Sequence, residues 1–202
     1  MTIRLLLADD QSLIRSALAA LLALEPDFEV VADVGRGDEV VAAARAHRPD
    51  VALVDIEMPG LDGLAAAAAL AREVPDCKVI ILTTFGRAGY LRRAMESGAK
   101  GFIVKDVPSE QLADAVRRVW KGELVVDPEL AAVTIASGPS PLTARERDVL
   151  AAARHGATIA DIAGRLFLSE GTIRNYLSSA IAKTGTRNRT EAVQVADENG
   201  WL

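Results

Sequence analysis

Two periodicities alternate along the first 122 residues. Short apolar runs near 3–8, 29–34, 51–54, 78–82 and 101–104 have the length and composition of strands. Between them, near 12–24, 37–47, 63–73, 87–97 and 109–121, apolar residues recur at the three- and four-residue spacing of amphipathic helices. Strands alternating with helices predict crossover units and a parallel sheet covered on both faces. Five units predict a doubly wound α/β fold with a five-stranded parallel sheet, whose site lies beyond the carboxyl ends of the strands.

The pattern then changes. Asp127-Pro128-Glu129 opens a short helix to about Ile135, with Asp as cap and Pro in the first helical position. Ala136-Ser-Gly-Pro-Ser-Pro141 suits neither helix nor ladder and reads as a linker. From Leu142 only the helical period remains. Thr143-Ala-Arg-Glu146 is a capping box for a helix to about Arg154. Thr158 starts a second helix to about Leu166, Ser169 caps a third from Glu170 to about Lys183, and Thr190 caps a last one to about Asn199. Helix, tight turn and helix in so few residues predict a helix-turn-helix. The expected division is an α/β domain over 1–122, a linker with a short helix over 123–141 and a smaller all-α domain over 142–202.

Composition narrows the setting. Half of the 202 residues are hydrophobic, yet no apolar stretch is long enough to span a bilayer, so no membrane insertion is expected. The N-terminus enters a strand pattern directly, without the basic lead of a secretory signal. Cys77 is the only cysteine and has no internal partner, which points to the reducing cytoplasm. The net charge of −5 is uneven. Residues 140–202 carry eight Lys/Arg and seven Asp/Glu; the rest of the chain carries fifteen and twenty-one. An acidic front and a weakly basic back suggest two tasks.

The strand ends carry the chemistry. The first run ends in Asp9-Asp10, the third in Asp55, the fourth in Thr83 and the fifth in Lys105. In a parallel sheet these ends share one edge, so the five side chains converge. Three clustered carboxylates repel one another until a divalent cation joins them; Mg²⁺ takes such hard oxygen ligands together with phosphate oxygens. Asp55 can then attack phosphorus and become an acyl phosphate, while Lys105 and the Thr83 hydroxyl meet the transferred group. Singly, each residue reads as a cap or a solvated loop group; the joint pattern is what favours a phosphoryl site. An aspartyl-phosphate hydrolase with Glu57 as second acid is the enzymatic alternative. The acid pair on another strand and the C-terminal helices argue against it. A DNA-binding protein that works without phosphate is a third reading.

These residues, with Asp55-Ile-Glu-Met-Pro-Gly-Leu-Asp-Gly63 and Gly98-Ala-Lys-Gly-Phe-Ile-Val-Lys105, resemble the flavodoxin-like receiver domain of two-component response regulators over about 1–122. The resemblance implies a phosphoryl group taken by Asp55 from a sensor histidine kinase. It implies Mg²⁺ held directly by Asp10, Asp55 and the main-chain carbonyl of Glu57, with Asp9 acting through water. Thr83 and Phe102 correspond to the family's switch pair. The lysine–proline step frequent in the family is absent, because Asp106 follows Lys105.

At the other end, Ile173, Leu177 and Ile181 mark the buried stripe of the candidate recognition helix. Thr172, Arg174, Asn175, Ser178, Ser179 and Lys183 lie off it. Arg can read guanine, Asn adenine, and Lys or Ser can hold phosphates. Between Gly171 and Thr190 stand four basic residues and no acidic one. Leu142-Thr-Ala-Arg-Glu-Arg-Asp-Val-Leu150, Ile159-Ala-Asp-Ile-Ala163 and the segment Ser169–Arg189 resemble the LuxR-type helix-turn-helix of NarL/FixJ regulators, and Ser169–Tyr176 is similar to regulators of membrane-lipid desaturation. Together these resemblances imply a transcription factor rather than an enzyme. They also imply receiver-driven homodimerisation on phosphorylation through helices 12–24 and 109–121, and binding of double-stranded DNA at paired half-sites.

Overall fold

The computed structural model describes residues 2–84, 88–136 and 140–202. Among the described residues the chain divides into two compact units, the first made of 2–84 and 91–131, the second of 88–90, 132–136 and 140–202.

The first unit is a parallel sheet in the order β2-β1-β3-β4-β5-β6, with strands β1 (Ile3–Ala8), β2 (Phe28–Val34), β3 (Val51–Asp55), β4 (Lys78–Thr83), β5 (Gly101–Val104) and β6 (Val125–Val126). Helices α1 (Ser12–Leu22), α2 (Val40–His47), α3 (Gly63–Glu73), α4 (Ala88–Glu96) and α5 (Ser109–Trp120) connect the strands. Side chains alternate across each strand. Leu5, Leu7, Val51, Leu53, Ile80 and Leu82 form one core with Leu112, Val116 and Val119 of α5 and Leu22 of α1. Their neighbours Leu6, Ala52, Val54, Ile81 and Phe102 are buried too, on the opposite face. The continuous apolar runs arise from this two-sided burial.

The doubly wound α/β fold is as expected, but the sheet has six strands rather than five. Val125 and Val126, inside the stretch read as linker, pair with Gly101 and Phe102. Two residues show no period, so sequence gives no sign of this edge strand. The helix expected over 37–47 is a 3-10 turn at Gly37–Glu39 followed by α2. The first helix ends at Leu22 rather than residue 24.

Helix α6 (Pro128–Ala136) crosses the boundary between the units; the expected linker residues 137–139 lie outside the described residues. The second unit contains α7 (Ala144–Ala153), α8 (Ile159–Leu166), α9 (Glu170–Thr184) and α10 (Arg189–Glu198) around Val149, Leu150, Ile162, Ile173, Leu177 and Ala180. The capping box Thr143–Glu146 is present, and Thr158 and Asp161 form a second. Ser169 caps α9 as expected. The last helix is capped by Asn188 rather than Thr190. The Asn188 side chain accepts from the Glu191 amide, and its amide nitrogen donates back to the Glu191 carboxylate, which Thr190, two residues further in, does not match. No helix among the described residues is long and apolar enough to cross a membrane.

Candidate functional site

Register sets the site. Ala8 pairs with Val54, Asp55 with Leu82, and Thr83 with Val104. Asp9, Asp55, Thr83 and Lys105 therefore stand side by side along the carboxyl edge of the sheet. Carboxylate oxygens of Asp9, Asp10 and Asp55 lie within 4.8 Å of one another. Asp9 and Asp55 are buried, 2% and 4% exposed, and Asp10 faces solvent. Lys105 Nζ stands 2.7 Å from Asp9 Oδ2 and 3.0 Å from Asp55 Oδ2. Thr83 is buried beside them, and Phe102 is fully buried one strand away.

Burial pushes the Asp55 carboxyl above its ordinary range, and the charge of Asp9 adds to the rise; Lys105 pulls the other way without cancelling it. The Lys105 ammonium is opposed by burial, yet its hydrogen bonds to Asp9 and Asp55 raise its pKa. Two of the three acids, Asp9 and Asp55, share one ammonium, so the cluster is short of positive charge. A hard divalent cation fits this donor set: clustered carboxylate oxygens, one of them open to solvent.

The loop after β3 is held by close backbone contact. A Cβ on Gly63 would lie 1.8 Å from the main-chain oxygen of Asp55, and one on Gly37 would lie 1.8 Å from that of Leu61. The Gly63 amide donates to the Ile56 carbonyl at 2.8 Å, and Asp62 caps α3 through the Ala65 amide. Glu57, the expected carbonyl ligand, is a residue of this loop and its side chain is exposed. Sequence reading missed Arg15. From α1 its guanidinium donates to the main-chain carbonyl of Asp9 and pairs with Asp33 at 2.8 Å, bracing the acid pair. No local pattern announces that support.

The recognition-helix candidates separate into two groups. Arg174, Asn175 and Ser178 are exposed; Arg174 pairs with Glu170 at 2.7 Å. Thr172 is half-buried and its hydroxyl bonds that of Ser169. Ser179 and Lys183 turn instead to Glu146 of α7. The Ser179 hydroxyl donates to Oε1 at 2.6 Å, and Lys183 Nζ lies 2.8 Å from Oε2. The buried stripe is Ile173, Leu177 and Ala180, with Ile181 only at its edge, because a four-residue step drifts off a 3.6-residue turn.

Glu146 is thus a buried strut, 3% exposed, that also accepts from the Thr143 amide. Burial alone would raise its pKa. The hydrogen bonds from Lys183, Ser179 and Thr143 outweigh that and hold it at about 2, against an ordinary 4.5. A carboxyl depressed in the folded state adds stability that is fully present above pH 4.5 and is lost as pH falls toward 2. The loss amounts to about 2 kcal/mol once solvent screening at half-exposed Lys183 is allowed for. In urea titrations between pH 6 and pH 2, Glu146→Gln is expected to start less stable and to show a flatter acid limb. An acid limb identical to wild type would remove this role.

Comparison with known proteins follows the same division. Residues 5–117 match the response regulator receiver domain, and residues 140–196 match the bacterial regulatory proteins of the luxR family. The transcriptional regulatory protein YvfU of Bacillus subtilis is 44% identical over 200 residues, covering 99% of this chain and all of the relative. The transcriptional regulatory protein DesR of the same organism is 43% identical over 202 residues, covering 99% of each. Among solved structures, the response regulator ChrA of a heme-sensing two-component system is 33% identical, with a TM-score of 0.60 over 100% of this chain and 99% of that one.

Proposed function

Because the chain belongs to the response regulators that join a receiver domain to a LuxR-type DNA-binding domain, we propose that it is a cytoplasmic, phosphorylation-controlled transcriptional regulator. The observation that carries this reading is the convergence of Asp9, Asp10 and Asp55 with Lys105 at one sheet edge. The receiver comprises 1–122, the connecting segment 123–141 and the DNA-binding domain 142–202.

Asp55 is the phosphoacceptor. Its carboxylate oxygen bonds to phosphorus while the bond to the imidazole nitrogen of a sensor histidine kinase breaks, the electron pair leaving with the imidazole. Asp10, Asp55 and the Glu57 carbonyl would hold Mg²⁺, with Asp9 through water, and the cation would supply positive charge against the incoming group. Lys105 leaves its carboxylate partners to meet the phosphoryl oxygens, and the Thr83 hydroxyl donates to one of them. Phe102, already buried, is the aromatic partner of that switch.

The outer surface then changes, and the receiver pairs with a second copy. Helix α1 offers Leu13 and Leu21 to solvent, with Leu24 just beyond its end; Leu13 is 81% and Leu24 79% exposed. With α5 this is the proposed dimer face. Pairing joins two DNA-binding units, and two weak half-site contacts gain from effective concentration. Arg174, Asn175, Thr172 and Ser178 face the duplex, while Ser179 and Lys183, expected from sequence among the contacts, are held by Glu146 and brace the helix from behind.

Treatment with acetyl phosphate and Mg²⁺ tests the reading. Sedimentation is expected to shift from monomer to dimer, and affinity for duplex DNA is expected to rise by tenfold or more, the scale of joined binding units. A phosphoprotein that neither associates nor binds DNA more tightly would end the proposal.

A further inference from the structure

We propose that Phe167, in the turn between α8 and α9, is a DNA-contacting residue whose ring is kept in solvent against the preference of its own backbone. This rests on the DNA-binding reading above. Phe167 is 94% exposed, whereas Phe28 and Phe102 are buried. Its neighbours Leu166 and Leu168 pack on the core of the second unit, so the ring alone in this turn points out. Phe167 also closes α8 in the left-handed conformation, with φ 54° and ψ 44°. Glycine adopts that region freely, and a bulky side chain does not.

The fold does not require a ring here. Arg48 closes α2 in the same conformation, φ 47°, with a polar side chain, and Gly185 closes α9 with none. A single exposed apolar side chain is ordinary on a protein surface. One placed where backbone strain and hydration both oppose it points to a use outside the fold.

The surroundings give the partner's chemistry. Arg165 lies exposed two residues before Phe167, and the Ser169 and Thr172 hydroxyls follow at the start of α9. Arg174 and Asn175 are exposed one turn further. The one acid between residues 165 and 175, Glu170, is paired with Arg174. Cations and hydroxyls around an apolar ring match the edge of a DNA groove, where the ring can pack on a deoxyribose or a thymine methyl.

Phe167→Gly in the full chain separates this from a structural role. The thermal midpoint of the second unit is expected to rise by about 3 °C as strain is released. Affinity for a mixed-sequence DNA duplex at low salt is expected to fall about fivefold, and Phe167→Trp, which keeps a ring, is expected to retain binding. If the wild type binds no duplex, the DNA-binding reading itself fails and this inference with it. If the wild type binds and Phe167→Gly binds equally well, only the role of Phe167 is overturned, and a protein partner takes its place. A midpoint that falls together with affinity also overturns it, because the ring would then be supporting the fold.

Discussion

Asp55→Asn is expected to fold as the wild type does and to accept no phosphoryl group. The amide matches the carboxylate in shape but has no anionic oxygen to attack phosphorus. The substitution also removes one of three clustered negative charges. It relieves the repulsion that, after burial, helps to raise the Asp55 pKa, and it leaves Lys105 paired with Asp9. Stability should therefore change by no more than about 1 kcal/mol, the change in repulsion offsetting the lost contact to Lys105. Intact-mass measurement after acetyl phosphate and Mg²⁺ is the check. A mass gain in the variant equal to that of the wild type would place the acceptor elsewhere and remove Asp55 from the mechanism.

The second large effect is expected from a single methyl group. Gly63→Ala would bring its Cβ to 1.8 Å from the Asp55 carbonyl oxygen, 2.8 Å from its carbon and 3.0 Å from the Ile56 Cα. All three are backbone atoms in or beside a buried strand, so no rotamer change relieves the overlap. The first turn of α3 would have to lift from β3, at a cost of about 3 kcal/mol or more. Urea unfolding of the full chain would show it, and phosphorylation at Asp55 would slow because the same movement displaces the acceptor. Gly164→Ala is the control. Gly164 lies within α8 with nothing inside 4 Å of an added Cβ. There the substitution is expected to stabilise by about 1 kcal/mol, the ordinary gain of alanine over glycine in a helix. A Gly63→Ala variant as stable as the wild type would mean that the loop after β3 is loosely held.

What sequence reveals here follows from how each feature is encoded. Strands buried on both faces are written as apolar runs, and each run stops at the residue that leaves the core. The positions of Asp9, Asp55, Thr83 and Lys105 at the sheet edge were therefore readable. Helix caps are local, so the Thr143–Glu146 box and the Ser169 cap are legible in the sequence. β6 was not, because two valines have no period and are ordered only by Gly101 and Phe102 beside them. Glu146 looked complete as a capping residue, yet it reaches Ser179 and Lys183 more than thirty positions away. That pairing changes how two recognition-helix candidates are read. Both candidates sit on a polar face, and polarity does not distinguish a side chain waiting for DNA from one already held by a neighbouring helix. Arg15 was missed for the same reason: its acceptor is a main-chain oxygen, which leaves no mark on residue type.

The bridge from Lys105 to Asp9 and Asp55 has one more consequence. Asp9 and Asp55 do not face each other as bare anions; a tethered ammonium stands between them as counter-ion. The same bridge ties the end of β5 to the ends of β1 and β3, so one side chain cross-links three strands of the sheet edge by charge.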